Sequence, residues 1–177
     1  MSRVTKQQLI LPTILVLAGI EKIYDDYNIK FSGLSTRVAR DAVISGIKDK
    51  LGDEDLEKLK SRNDIRINQT FRNLISHKDL IKNDIVSVSD LGRMRLTENG
   101  FEMLFDYFNS RLEKSGMDKF PELETKKRSV YNQLNSRYFP VKNDYIEDLN
   151  NKLRDMIKSR IAESNDNKKK KIIRNTI

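Results

Sequence analysis

Apolar residues recur at helical spacing through most of the first 112 residues, and the pattern breaks in one place. Ile85-Val86-Ser87-Val88 and Arg93-Met94-Arg95-Leu96-Thr97 have the short, β-branched or alternating character of strands. Ser89-Asp90-Leu91-Gly92 between them is turn-like. In the second strand Met94 and Leu96 are expected to face a core, and Arg93 and Arg95 to face water. One small hairpin set among helices predicts a mostly α fold with a small β-hairpin.

The helices around that hairpin have distinct signatures. Thr5 to Tyr24 carries Leu11, Ile14, Leu15, Leu17, Ala18 and Ile20, followed by the polar stop Asp25-Asp26-Tyr27-Asn28. Pro12 is tolerable there in a first turn or as a kink. Ser35 or Thr36 can cap a second helix through Val38, Ala39, Val43, Ile44 and Ile47. Gly52-Asp53-Glu54-Asp55 opens a short helix at Leu56 to Leu59, with acids at its positive end. From Ile67 to Lys78 the stripe Ile67, Phe71, Leu74, Ile75 defines a third major helix. Its opposite face gathers Arg66, Gln69, Asn73 and Ser76, with Arg72 at the flank. After the hairpin, Glu98 to Leu112 has the stripe Phe101, Leu104, Phe105, Phe108. Residues 7–112 thus read helix, helix, short helix, helix, strand, turn, strand, helix. This is the order of a winged helix-turn-helix domain.

The remaining third divides into a helical extension, 113–164, and a basic tail, 165–177. Pro121 is expected to open a helix over Glu122 to Tyr138, ended by Phe139-Pro140. Asn143 or Asp144 can cap the next one. There Ile146, Leu149, Leu153 and Met156 form a 3-4-3 seam about two heptads long. The seam fits a dimerisation helix, which would pair two DNA-binding domains over two half-sites, or a helix packed on its own domain.

Composition narrows the chemistry. Among 177 residues there is no cysteine, and His77 is the single histidine. Disulfides, thiolate metal sites, Cys nucleophiles and two-histidine sites are excluded. His77 ends the third major helix and is expected to be a packing residue or a dipole partner. The glycines are scattered, with no phosphate-binding Gly-rich frame. Asp118, Glu122, Glu124 and Lys126 superficially resemble the acidic triad of metal-dependent nucleases. That triad needs a hairpin to aim it, and this stretch reads as the start of a charged helix. No enzyme activity, metal or cofactor is expected. The longest uncharged run, Leu9 to Ile20, is too short to span a bilayer and lacks the flanks of a signal peptide. A cytoplasmic protein without a membrane partner is therefore expected.

The net charge is +8, unevenly placed. Residues 1–112 hold 18 Lys+Arg against 16 Asp+Glu, a net +2, and residues 113–177 hold 16 against 10, a net +6. Much of the surplus is Lys168 to Lys171 with Arg174, a tail that could attract phosphate generally or simply solubilise the chain.

Several motifs in order suggest a family. Gln8-Leu9-Ile10-Leu11-Pro12, Gly52-Asp53-Glu54-Asp55-Leu56, Arg62-Asn63-Asp64-Ile65-Arg66-Ile67 with Asn68 through Leu74, Leu80-Ile81 and Arg95-Leu96-Thr97-Glu98-Asn99-Gly100 follow one another. In this order the segment resembles the N-terminal winged-helix domain of Mrr-type restriction proteins. Thr70-Phe71-Arg72-Asn73 stands where that family carries Trp-Ala-Arg. The resemblance covers about 100 residues and implies a DNA-reading module. The nuclease of such proteins lies C-terminal to it, and the residues after 112 are too few for that domain. A nuclease or another subunit is thus expected as a separate partner.

A winged helix on DNA needs polar groups for base edges and cations for phosphates. Gln69 and Asn73 can pair with adenine, and Arg66 or Arg72 with guanine, with Ser76 beside them. Arg37 and Arg40 on the second helix, and Arg93 and Arg95 on the wing, are candidates for phosphates. The expected function is sequence-specific double-stranded DNA binding without catalysis, as a homodimer. The setting is either recognition in a restriction or defence system, or transcription regulation in a bacterium or phage. A protein-interaction module and a small metal-dependent nuclease are the alternatives. Ordinary solvated positions would show the same polar faces.

Overall fold

The computed structural model describes residues 3–135 except 27, 29, 61, 62 and 78, and beyond these only 155, 158, 159, 162 and 163. The seam at Ile146, Leu149, Leu153 and Met156 and the basic tail lie outside the described residues. The described fold is mostly helical with one small antiparallel sheet.

Helix α1 (Lys6–Asp26) is the centre of the molecule. Its residues 13–23 are all buried, because α2, α4, α6, α7 and strand β3 pack around it. The helix continues through Pro12, whose missing N–H removes one ladder bond without ending it. No helix among the described residues is long and apolar enough to cross a membrane.

Strand β1 (Leu34–Ser35) leads directly into α2 (Thr36–Gly46). Ser35 caps α2, its hydroxyl accepting from the Val38 amide at 3.3 Å. A 3-10 turn, Lys48–Lys50, precedes α3 (Asp53–Leu56). The acids expected ahead of this short helix are its first turn, so the helix sits three residues earlier than its apolar residues suggested. Asp55 is fully buried, and its carboxylate accepts from the Val4 amide at 3.0 Å and the Gly52 amide at 3.1 Å. Those bonds tie the chain's beginning to α3.

Helix α4 (Arg66–Ser76) buries Ile67, Thr70, Phe71 and Leu74 and is followed by α5 (Asp79–Lys82). The hairpin is β2 (Val86–Val88) and β3 (Arg93–Leu96), and β3 is central in the order β1-β3-β2. Leu34 pairs with Met94 on one side, and Val88 pairs with Met94 on the other. Met94 and Leu96 are buried while Arg93 and Arg95 are exposed, as the alternation predicts.

Helix α6 (Glu98–Lys114) follows, capped by Thr97, and then α7 (Lys126–Asn135). The latter begins four residues later than expected. Thr125 accepts from the Arg128 amide at 3.1 Å and so fixes the start of the helix. Pro121, Glu122 and Leu123 precede the helix without regular secondary structure instead. Val130 and Tyr131 join the same core as α1 and α6.

Candidate nucleic-acid interface

The apolar stripe of α4 points at α1, so its remaining side chains are directed outward. Arg66, Gln69, Arg72 and Asn73 are half-buried at the rim of that face, and Ser76 is exposed. The loop from α3 into α4 folds over the start of this face. The Leu59 amide donates to the Asp64 carbonyl at 2.9 Å, and the Arg66 amide donates to the Glu57 carbonyl at 3.0 Å. This loop places two acids on the helix's cations. Glu57 forms an ion pair with Arg66, and Asp64 forms one with Arg72. Asp64 also accepts from the Ile65 amide at 2.9 Å and from Asn68 Nδ2 at 2.7 Å. Chiefly the Asn68 bond, with help from the Ile65 amide and Arg72, holds its carboxyl below the usual range against the opposing effect of burial.

Between α2 and α4 lies a groove of about 290 Å³. Thr36, Arg37 and Arg40 line it from α2, and Phe71, Arg72, Ile75 and Ser76 from α4. Four of the nine residues expected to meet DNA therefore share one concavity: Arg37, Arg40, Arg72 and Ser76. Its floor is apolar, from Phe71 and Ile75, and its rim is cationic. Arg40 forks onto Asp41 at 2.9 and 2.8 Å. Arg37 is exposed and has no ion pair among the described residues. Of the three guanidiniums on this rim, Arg37 is open to an anion as it stands, while Arg40 and Arg72 would have to leave Asp41 and Asp64.

The hairpin cations are placed elsewhere. Arg93 Nη1 donates to Ser32 Oγ at 3.2 Å and to the Gly33 carbonyl at 3.3 Å. Arg95 Nη2 donates to Glu21 Oε1 at 3.0 Å, and Lys127 Nζ donates to the same oxygen at 2.6 Å. The Glu21 side chain is 3% exposed, so both cations serve a buried carboxylate. Aromatic rings enclose the cluster: Arg95 lies 5.9 Å from the Phe31 centroid, and Lys127 lies 5.5 Å from that of Tyr131. Burial, then the Glu21 charge, pushes the Tyr131 phenol well above its ordinary range. The tip of the hairpin, Ser89 to Gly92, bears no cation, and its Leu91 is 83% exposed.

Sequence reasoning missed Glu21, Glu57, Asp64 and Lys127. Glu21 alone left a signal, as the first charge after a long apolar run on a helix buried all round. His77 is exposed at the end of α4, with Nδ1 3.2 Å from Lys6 Nζ. Glu122 and Glu124 precede α7 rather than lying within a helix. They pair with Lys126 at 2.7 Å and Arg128 at 3.0 Å. No group of three metal-binding side chains occurs among the described residues. No family model matches the chain, and neither a curated protein nor a solved structure matches it.

Proposed function

We propose that the chain binds double-stranded DNA sequence-specifically through a winged-helix domain, without catalysing a reaction on it. The observation that carries this is the α2–α4 groove, where Arg37, Arg40 and Arg72 converge beside the polar face of α4. The element order and the sheet order β1-β3-β2 support the winged-helix reading. So does the ordered set of motifs that resembles Mrr-type proteins. Arg37 and Arg40 would take backbone phosphates and fix register, while Gln69 and Asn73 would read base edges. Arg72 stands between the two roles. Arg93 can reach a phosphate from the wing. Arg95 is retained for folding by its contact with buried Glu21.

The same proposal includes a cytoplasmic homodimer, joined through the 146–156 seam, that presents two such faces. Its setting is a restriction or defence system, or transcription regulation. The cation-free hairpin tip with exposed Leu91 favours one alternative, docking of the domain on a protein partner.

The experiment is duplex binding across a salt series. Arg37→Ala should weaken all duplexes alike and reduce the salt slope by about 1, and Arg40→Ala should do the same by less, because Arg40 is already paired with Asp41. Gln69→Ala and Asn73→Ala should cost about 1–3 kcal/mol on the preferred duplex and relax its preference. Equal effects of both pairs on all sequences would contradict the division of roles.

A further inference from the structure

The cations of α4 are not free in the unbound protein. Arg66 is paired with Glu57 and Arg72 with Asp64, and both acids belong to the one loop that leads into the helix. Backbone bonds at both ends of the loop fix them there: Leu59 to Asp64, and Arg66 to Glu57. A carboxylate and a phosphate compete for the same guanidinium fork, so a duplex must displace these acids or accept the pairs as they are.

We infer that Glu57 and Asp64 are specificity-determining residues, which screen α4 from phosphates in general and leave its neutral base-reading groups uncovered. This rests on the DNA-binding proposal. Non-specific binding comes essentially from cation–phosphate contacts and the counterions they release. Pairing Arg66 and Arg72 internally removes two such contacts from every duplex alike. Gln69 and Asn73 are uncharged, so their hydrogen bonds to bases are unaffected by the screen. The matched duplex therefore keeps the part of its affinity that mismatched DNA never had. The small net charge of residues 1–112, +2, agrees with a surface that depends little on bulk attraction.

The test is Glu57→Gln with Asp64→Asn in the full chain, measured on a preferred and an unrelated duplex across salt. Asp64→Asn keeps an acceptor for the Ile65 and Asn68 donors, and Glu57→Gln alone serves if the double variant does not fold. Each freed arginine adds a phosphate contact, with a slope of about 0.9. Affinity for the unrelated duplex should rise about tenfold per arginine at 0.1 M salt. The ratio of preferred to unrelated binding should fall. If the wild type binds its preferred duplex and the folded variants bind the unrelated one no tighter, the screen is overturned and the DNA reading stands. If neither the wild type nor either variant binds any duplex at low salt, the DNA reading itself fails. Binding that appears only in the variants overturns the screen together with the DNA reading, because the wild type then has no preferred duplex to protect.

Discussion

Gly100 shows how closely one residue can be specified. It stands in the first turn of α6, where its amide donates to the Thr97 hydroxyl at 3.2 Å. A Cβ there would lie 2.4 Å from the Ile85 carbonyl oxygen and 2.9 Å from Leu96 Cδ2. Alanine favours helix by about 1 kcal/mol over glycine, yet here the clash is with backbone that cannot yield cheaply. Gly100→Ala should therefore destabilise the fold by about 1–3 kcal/mol. A thermal melt checks this, and an unchanged or raised midpoint would refute the close approach of α6 to the Ile85 carbonyl. Only part of such detail is legible from sequence. Alternation placed Arg93 and Arg95 outside and Met94 and Leu96 inside, because the strand's period of two is local. Local pattern held nothing of the Arg95 partner, since Glu21 is 74 residues away along the chain. Glu57 and Asp64 escaped for a related reason. Acids in a loop look solvated until the loop's own hydrogen bonds set them against a helix.

At the scale of elements, α1, α2, α4, α6 and the hairpin were legible because each is long enough to show its period. Strand β1, two residues long, and α5, four residues long, are too short to have one. They form because neighbours supply their partners: β3 for β1, and α4 and β2 for α5. The start of α7 was misplaced because Pro121 marked a helix entrance that the Thr125 hydroxyl in fact provides. The Glu21 cluster links three elements, α1 through Glu21, β3 through Arg95 and α7 through Lys127. Removing the carboxylate leaves two cations facing aromatic rings. Because both remain partly solvated, Glu21→Ala should cost about 1–3 kcal/mol, short of a fully buried pair. In chemical denaturation, Glu21→Ala combined with Lys127→Ala should be less than additive by at least about 0.5 kcal/mol. Strict additivity would separate α7 from α1 energetically.

For the whole molecule, charge is a weaker guide than placement. The net +8 lies mostly beyond residue 112. Within the described domain, several cations are already committed: Arg95 and Lys127 to Glu21, Arg66 to Glu57, Arg72 to Asp64 and Arg40 to Asp41. What distinguishes the proposed interface is that Arg37, Arg40, Arg72 and Ser76 meet in one groove, lined in part by the helix that also carries Gln69 and Asn73. A general polyanion binder would need neither the groove nor those amides. The central claim is tested most directly by selecting bound duplexes from a pool of random and genomic DNA, at low and then at physiological salt. The account predicts that one short motif is enriched and that its advantage grows as salt rises and non-specific attraction fades. Failure to retain any duplex at low salt, or retention of all sequences equally at both, would contradict it.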